Sequence, residues 1–232
     1  MLDVDPFHDG ERKAQALAGA GDVARWAASY IRPSMPPQHR TFFAQLPFLV
    51  LAGADDNGRH WVTLLEGPDG FLASPNAETL TVNTTPAIQD PLADALMKGT
   101  EIGLLGIELN TQRRNRLSGR FRRQGAGGYA VDVRQSFGNC PQYIHERNWQ
   151  RVSRKEAPSA VHSTFLSDEQ VSRIRAADTL FLGTGQQKND EHASNGFDAS
   201  HRGGAPGFVQ VLDATRLRIP DYAGNNFFNT IG

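Results

Sequence analysis

The sequence predicts a mainly β fold with flanking helices, an α+β protein in which antiparallel strands form a barrel. Residues 102–110 (IGLLGIELN) form an almost uninterrupted apolar run, as in a buried strand. Residues 117–122 and 129–134 each alternate apolar and polar side chains, which is typical of strands with one buried face. Asn110 and the glycines of residues 125–128 supply the turns between these segments. The three segments therefore predict an antiparallel meander around which the rest of the chain is organised.

The elements before the meander follow an order that suits a barrel. Residues 55–58 (DDNG) predict a hairpin turn, and Asp90 with Pro91 predicts the N-cap and first position of a helix. Asp9 is the predicted N-cap of the first helix. Three helices, four strands and a fourth helix are predicted at residues 9–18, 22–31 and 36–46, then 47–54, 60–66, 71–74 and 79–82, then 90–98. This order predicts a closed antiparallel barrel with a helical cap and one helix across an end.

The second part of the chain predicts one helix and further strands. Ser167 and Gln170 form a capping box for a helix over residues 167–177. The remaining predicted features are strands at 179–183, 208–212 and 216–219, a mobile hydrophilic insertion at 186–195, and polar glycine-bearing turns at 200–204 and 220–226.

An internal repeat links the two parts. Residues 67–82 align without gaps on residues 204–219, at a constant shift of 137 (204 minus 67) that matches Phe71 with Phe208. The predicted organisation is a helical cap (1–46), a split-barrel unit (47–147), a linker (148–166) and a second, incomplete barrel unit (167–232). No later segment supplies a counterpart of the meander. Either the chain is a fragment of a longer protein, or the second unit borrows strands from elsewhere.

Composition excludes several classes of function. A net charge of −1 argues against a general binder of nucleic acid or membrane surfaces. The single cysteine, Cys140, excludes an intrachain disulfide and a cysteine-based metal cluster. The first residues carry acids without an apolar core, so no secretory signal is expected and the predicted location is cytoplasmic. The usual motifs of phosphate loops, dinucleotide folds, zinc proteases and serine hydrolases are missing from the sequence.

A basic segment near the start of one meander strand is a candidate phosphate site. Arg113, Arg114 and Arg116 are close together, and Arg114 and Arg116 share a strand face. Guanidinium groups bind phosphate with two parallel hydrogen bonds and keep their charge at any working pH. The alternative is a solvated basic hairpin, since further arginines follow along the strand.

Three other stretches hold candidate binding residues. Residues 135–142 begin with Gln135 and Ser136, whose polar groups suit the edge of a heterocycle, although a plain polar loop is the alternative. Trp61 could stack on a planar ring or belong to the core. The turn around Arg202 could bind an anion through its guanidinium and backbone amides, or be simply solvated. A lone His201 is weak evidence for catalysis, and Cys140 suits a small buried residue.

Longer strings resemble a known family. PFLVLAGADDNGRHWVTLLEGPDGFL, GLLGIELNTQRRNRLSGR and QSFGNCPQYI are similar to the pyridoxamine 5'-phosphate oxidase-related flavoproteins, in the branch often fused to ferredoxin-reductase-like modules. DASHRGGAPGFVQVLD and PDYAGNNFFNTIG resemble a second pattern of that superfamily. The resemblance implies an antiparallel split β-barrel of the FMN-binding type, with FMN in a groove between two barrels, usually across a homodimer. The residues implied in cofactor binding are Trp61, Val62, Thr63, Arg113, Arg114, Asn115, Arg116, Gln135, Ser136, Ser200, Arg202 and Asn225.

The function expected from this resemblance is an FMN-binding oxidoreductase. Its catalytic residues and substrate are unknown, no metal is expected, and the partner is a small-molecule substrate or an electron donor such as NADH or NADPH. The carboxy-terminal substrate segment of authentic pyridoxamine phosphate oxidase is not visible, which puts vitamin B6 oxidation in doubt. The alternatives are a non-catalytic flavin-binding or assembly module of a larger flavoprotein, and a split barrel that holds haem or a deazaflavin.

Overall fold

A computed structural model describes residues 5–125, 128–152, 161–186 and 195–231. The predicted class is confirmed, because the chain is mainly β and its strands pair in antiparallel fashion. The core of the predicted mobile insertion, residues 187–194, lies outside the described residues, as does part of the predicted linker, residues 153–160. Within the described ranges, every helix is too short or too polar to span a bilayer.

Two helix starts differ from the prediction. The helices are α1 (Asp9–Leu17), α2 (Val23–Tyr30), α3 (Pro37–Ala44), α4 (Ala93–Lys98) and α5 (Asp168–Ala176). The N-cap of α1 is His8 rather than Asp9, because the His8 ring accepts from backbone amides while Glu11 accepts from the His8 amide. α4 begins after Asp90, whose carboxylate accepts from the Thr63 hydroxyl of a neighbouring strand and from the Leu92 amide. The predicted capping box of α5 is confirmed.

The strands form one large sheet and two hairpins. They are β1 (Phe48–Ala54), β2 (His60–Glu66), β3 (Leu72–Asn76), β4 (Thr79–Val82), β5 (Thr100–Glu108), β6 (Arg113–Gln124), β7 (Gly128–Asn139), β8 (Thr179–Gln186), β9 (Gly196–Gly203), β10 (Gln210–Asp213) and β11 (Arg216–Arg218). The first seven pair in the order β2-β1-β5-β6-β7-β4-β3, so the predicted meander of β5, β6 and β7 lies at the centre.

The large sheet curls around one core but does not close. Leu65 of β2 and Leu72 of β3 belong to the same buried cluster, although these two strands are the opposite edges of the sheet and do not pair. Phe121 and Val131 of the meander fill the centre, and Phe43 of α3 covers one end. Each such side chain contributes roughly 1.5–3 kcal/mol by leaving water. The result is a split antiparallel barrel, open between β2 and β3.

The hairpins of the second part repeat those of the first. The shift of 137 residues places β9 on β2, β10 on β3 and β11 on β4. The β3–β4 hairpin and the matching β10–β11 hairpin each contain a register irregularity. Gly70 and Gly207 occupy matching left-handed turns before these hairpins, with φ of 80° and 86°. The repeat therefore extends to residues that the sequence alignment did not include.

One prediction in this region is wrong. The segment expected to form a turn at residues 200–204 lies largely in β9 and pairs with β8 over its whole length. Phe197 and Ala199 of β9 pack against Val50, Ala52 and Leu105, while Asp198, Ser200 and Arg202 lie on the opposite face of the strand. The glycines at the end of β9 led the sequence analysis to predict a turn rather than a strand here.

Close backbone contact holds the β8–β9 hairpin on the barrel. A Cβ at Gly103 of β5 would lie 2.1 Å from the carbonyl oxygen of Phe197, and a Cβ at Gly183 of β8 would lie 2.8 Å from that of Trp61. Side chains at these positions would push the layers apart. Glycine is thus required at both crossings.

We expect Gly103→Ala to lower the free energy of unfolding by about 1–3 kcal/mol, because the added methyl meets backbone that cannot rotate away. Thermal and urea unfolding measure the change. Gly21→Ala is the matched control, since a Cβ there meets nothing within 4 Å. Equal stability of the two variants would contradict the close crossing.

Candidate functional site

β6 presents two arginines to β9. Arg114 and Arg116 lie on the strand face that looks toward β9, as their spacing predicts. Arg116 Nη2 donates to Ser200 Oγ at 2.6 Å, and its Nη1 lies 3.4 Å from Asp198 Oδ1. Arg116 is 7% exposed, so the guanidinium end of this ion pair is shielded from solvent, while the Asp198 side chain is partly exposed. Burial raises the pKa of the Asp198 carboxyl, and Arg116 opposes that rise.

The second guanidinium of this face has no acidic partner within the described chain. Arg114 Nη1 lies 3.0 Å from His201 Nδ1, and no carboxylate forms an ion pair with it among the described residues. Burial lowers the pKa of Arg114 to about 10, and the nearby charge of Arg116 adds to the effect. Arg114 still carries a full positive charge at neutral pH.

A third arginine joins from β9 itself. Arg202 Nη2 donates to Thr230 Oγ1 at 2.9 Å, and Thr230 donates to Ser200 Oγ at 3.2 Å. Asp221 lies 3.7 Å from Arg202, too far for a direct hydrogen bond. Arg114, Arg116 and Arg202 are hereafter the arginine cluster. Arg116 and Arg202 line a cavity of about 250 Å³ that the segment carrying Asn225 covers.

The arginine cluster has unsatisfied hydrogen-bonding capacity. Arg114 Nε and Arg116 Nε are buried and have no hydrogen-bond partner among the described residues. Two carboxylates, Asp198 and Asp221, face three guanidinium groups, so positive charge is in excess. Buried donors are rarely left unpaired, because desolvation then costs about 1–3 kcal/mol. This arrangement is suited to holding an anion.

A larger cavity of about 350 Å³ lies beside the cluster and has the opposite charge character. Glu11 of α1 and Asp198 of β9 are its acidic lining residues, and Gln135 and Ser118 of the meander line the facing wall. Glu11 accepts from the His8 amide at 3.0 Å and from Asn229 Nδ2 at 2.8 Å. Burial, and then the charge of Asp198, raises the pKa of Glu11 to about 7. This carboxyl can therefore hold a proton at neutral pH.

The structure brings together about half of the residues predicted for cofactor binding. The residues that meet at the arginine cluster come from two distant parts of the chain, and Gln135 lines the larger cavity beside them. The residues at the cluster are Arg114, Arg116, Ser200, Arg202 and Asn225.

The other predicted residues lie away from the cluster because they point to the opposite face of their strands. Arg113 is exposed and its guanidinium lies 5.2 Å from the ring centre of Phe42. Ser136 is buried, with Oγ 2.8 Å from His39 Nδ1, and Asn115 is buried beneath Gly138.

The β2 candidates are also engaged elsewhere. Trp61 Nε1 donates to Asp55 Oδ2 at 3.0 Å, Thr63 bonds to Asp90, and Val62 is 37% exposed.

Sequence reasoning missed several lining residues. Asp198 and His201 could have been found by extending the repeat upstream, since the shift of 137 places them on the β2 strand. Glu11 gave no signal, because its sequence surroundings are those of an ordinary helix start. Asn229 and Thr230 lie in an irregular segment, within the string PDYAGNNFFNTIG, but were not among the predicted binding residues.

Comparison with known proteins gives only loose structural likeness. No protein-family model and no curated protein matches the chain. HupZ of Group A Streptococcus is similar over 45% of this chain and 94% of its own, at 14% identity and a TM-score of 0.35. A proposed pyridoxamine 5'-phosphate oxidase of Lactobacillus delbrueckii is similar over 46% and 95%, at 11% identity and 0.35. The FAD and heme binding protein of Mycobacterium smegmatis is similar over 72% and 98%, at 12% identity and 0.29. The second of these carries the family name that the sequence strings resemble.

The raised pKa of Glu11 makes folding stability depend on pH. Between pH 4.5 and about 7 the folded chain holds a proton on Glu11 that the unfolded chain has released, so stability falls as pH rises through this window. The loss levels off above it and is on the order of 3 kcal/mol. Glu11→Gln, which keeps the capping box, should flatten the profile in urea unfolding at pH 4.5–8. The exposed Asp9→Asn is the control, and an unchanged slope in Glu11→Gln would contradict the assignment.

Proposed function

We propose that this chain is an FMN-binding oxidoreductase of the pyridoxamine 5'-phosphate oxidase-like class. The observation that carries the proposal is the largely buried arginine cluster, which has unpaired guanidinium nitrogens and lines a small cavity. Asp198, the ion-pair partner of Arg116, also lines the cavity of about 350 Å³. Bound FMN would supply the redox chemistry, while the protein binds, orients and shields the group. The substrate is not specified by any residue at the site.

The residues present fit a phosphorylated flavin. Buried arginines bind phosphate with charge-assisted hydrogen bonds, and Arg114 and Arg116 offer unpaired N–H groups for them. The cavity volume lies within the roughly 300–1,000 Å³ of small-molecule sites. Phe7, Phe137 and Phe197 form its apolar walls, which suit a planar ring system.

Each wall of the site would have a distinct role. Arg114, Arg116 and Arg202 bind negative charge, and Ser200 orients Arg116. Gln135 and Ser118 offer polar groups to the edge of a heterocycle. Glu11 holds a proton at its carboxyl, within the larger cavity. Glu11, Arg116 and Ser200 are buried, which shields their polar groups from bulk water.

The internal repeat supports a site on the β9 side rather than on the β2 side. Under the shift of 137, Asp198, Ser200 and Arg202 take the places of Trp61, Thr63 and Leu65. Leu65 is 2% exposed in the barrel core, and Thr63 is bonded to Asp90. The equivalent β2 positions thus lack a free cation, which supports one cofactor for each chain.

A second candidate function is a non-catalytic flavin-binding or assembly module. The observation that favours it is the edge of β11, which pairs only with β10 among the described strands, whereas the equivalent β4 also pairs with β7. Leu217 of β11 is 43% exposed, although its counterpart Leu80 is fully buried. A homodimer that covers this surface is part of the proposal, and light scattering of the purified chain tests it.

Purified protein should be yellow and should release FMN on denaturation. Arg114→Ala should weaken FMN retention by about tenfold or more, because it removes a buried charge-assisted contact. Arg123→Ala, on the exposed far end of the same strand, should retain FMN as the unaltered protein does. Fluorescence titration with FMN measures both, and equal retention would count against the cluster as the phosphate site.

Turnover distinguishes the two candidate functions. In an oxidoreductase, NADH or NADPH should reduce the bound flavin. Stopped-flow absorbance of the flavin measures this reduction. Bound flavin that no nicotinamide donor reduces would favour the assembly module. A haem or deazaflavin spectrum in the purified protein would overturn the choice of FMN while leaving the fold unaffected.

A further inference from the structure

The contact between Arg114 and His201 determines which nitrogen of the imidazole carries the proton. Arg114 Nη1 lies 3.0 Å from His201 Nδ1, and a guanidinium group donates hydrogen bonds but never accepts them. Nδ1 is therefore the acceptor, and a neutral ring must hold its proton on Nε2. Burial, helped by the charges of Arg114 and Arg202, lowers the pKa of the His201 imidazole to about 3. The ring is accordingly neutral at physiological pH.

The Nε2–H of His201 is a buried donor without an acceptor. His201 is 2% exposed, and Nε2 has no hydrogen-bond partner among the described residues. Its ring packs against Phe181, which offers no acceptor, at a centroid distance of 5.7 Å. A donor in this position calls for an acceptor from outside the described chain.

Other unpaired donors surround the same space. Arg114, Arg116 and His201 line a cavity of about 70 Å³ between β6 and β9, together with Asn139. The Nε atoms of both arginines are unpaired. Asn139 Oδ1 is unpaired too, and exchanging the oxygen and nitrogen of this amide turns it into a further donor. Three of the unpaired atoms, Arg114 Nε, Arg116 Nε and His201 Nε2, are donors, so the ligand that satisfies them must bring acceptors.

We propose that Arg114, Arg116 and His201 form a clamp for a phosphate monoester, in which neutral His201 donates from Nε2. A phosphate group brings strong acceptor oxygens and close to two negative charges. His201 adds a donor without adding a further positive charge beside the guanidinium groups of Arg114, Arg116 and Arg202. The clamp rests on the proposed function only in that FMN carries a phosphate group. It adds His201 to the phosphate-binding residues, a residue that the sequence marked only weakly.

Two substitutions separate the roles of the two ring nitrogens. The amide oxygen in His201→Asn can accept from Arg114 as Nδ1 does, but nothing replaces the Nε2 donor. The longer side chain in His201→Gln can place an amide N–H near the Nε2 position. We expect FMN affinity to fall about tenfold to hundredfold in His201→Asn and to recover partly in His201→Gln. Riboflavin, which lacks the phosphate, should bind all three proteins equally. The exposed His162→Asn is the control and should bind FMN unchanged.

Nuclear magnetic resonance of the histidine ring provides a readout that does not depend on the variants folding. The unaltered full chain should show His201 as the Nε2–H tautomer from pH 5 to 8, and inorganic phosphate should shift that proton downfield. An Nδ1–H tautomer, a protonated ring or a phosphate-insensitive Nε2–H would overturn the clamp, as would equal losses of FMN and riboflavin in His201→Asn. If FMN affinity is the same in His201→Asn, His201→Gln and the unaltered protein, the clamp is wrong and the proposed function still holds. If phosphate shifts the Nε2 proton but the protein binds no flavin, the clamp holds and the proposed function is wrong.

Discussion

The site depends on the packing of one hairpin across the barrel. β8 and β9 lie so close to β5 and β2 that backbone meets backbone at Gly103 and Gly183. This contact brings β9 next to the arginine-bearing face of β6, more than eighty residues away in sequence, where Arg116 meets Ser200 and Arg114 meets His201. Without it, Arg114 and Arg116 would be ordinary strand residues facing water. Their burial, and every electrostatic property that follows from it, comes from this single crossing.

Burial makes the charges of the site strong and their imbalance important. In a low-dielectric interior, charges interact over distances that solvent would otherwise screen. The Arg116–Asp198 pair lies at the boundary between two compartments, one with excess positive charge and one lined by the carboxyl groups of Glu11 and Asp198. A ligand with an anionic end and a neutral hydrogen-bonding body matches this division. Burial disfavours the charged form of the Glu11 carboxyl, so this group holds a proton at a higher pH than an exposed glutamate does.

The internal repeat shows how similar hairpins acquire different roles. β2 and β9 occupy matching places, yet Leu65 is part of a packed core while Arg202 faces a cavity. The difference lies in what covers each strand. The first hairpin closes against the meander of β5 to β7, whereas the polar face of β9 looks onto Arg116 and the segment carrying Thr230. The two hairpins therefore share a backbone arrangement, but the residues packed against each one determine whether its side chains form a core or line a cavity.

The sequence by itself determined the mainly β class, the meander, most strand positions and the shared face of Arg114 and Arg116, because these follow from local alternation and turn chemistry. It also predicted Ser200, Arg202 and Asn225 as site residues. The side chains of Asn115 and Ser136 point away from the cluster in the structure, and no motif in the sequence marks Glu11. Only the tertiary structure decided which strand faces meet and which groups lose water. Those properties depend on contacts between residues far apart in the chain, and no local pattern encodes the distance between them.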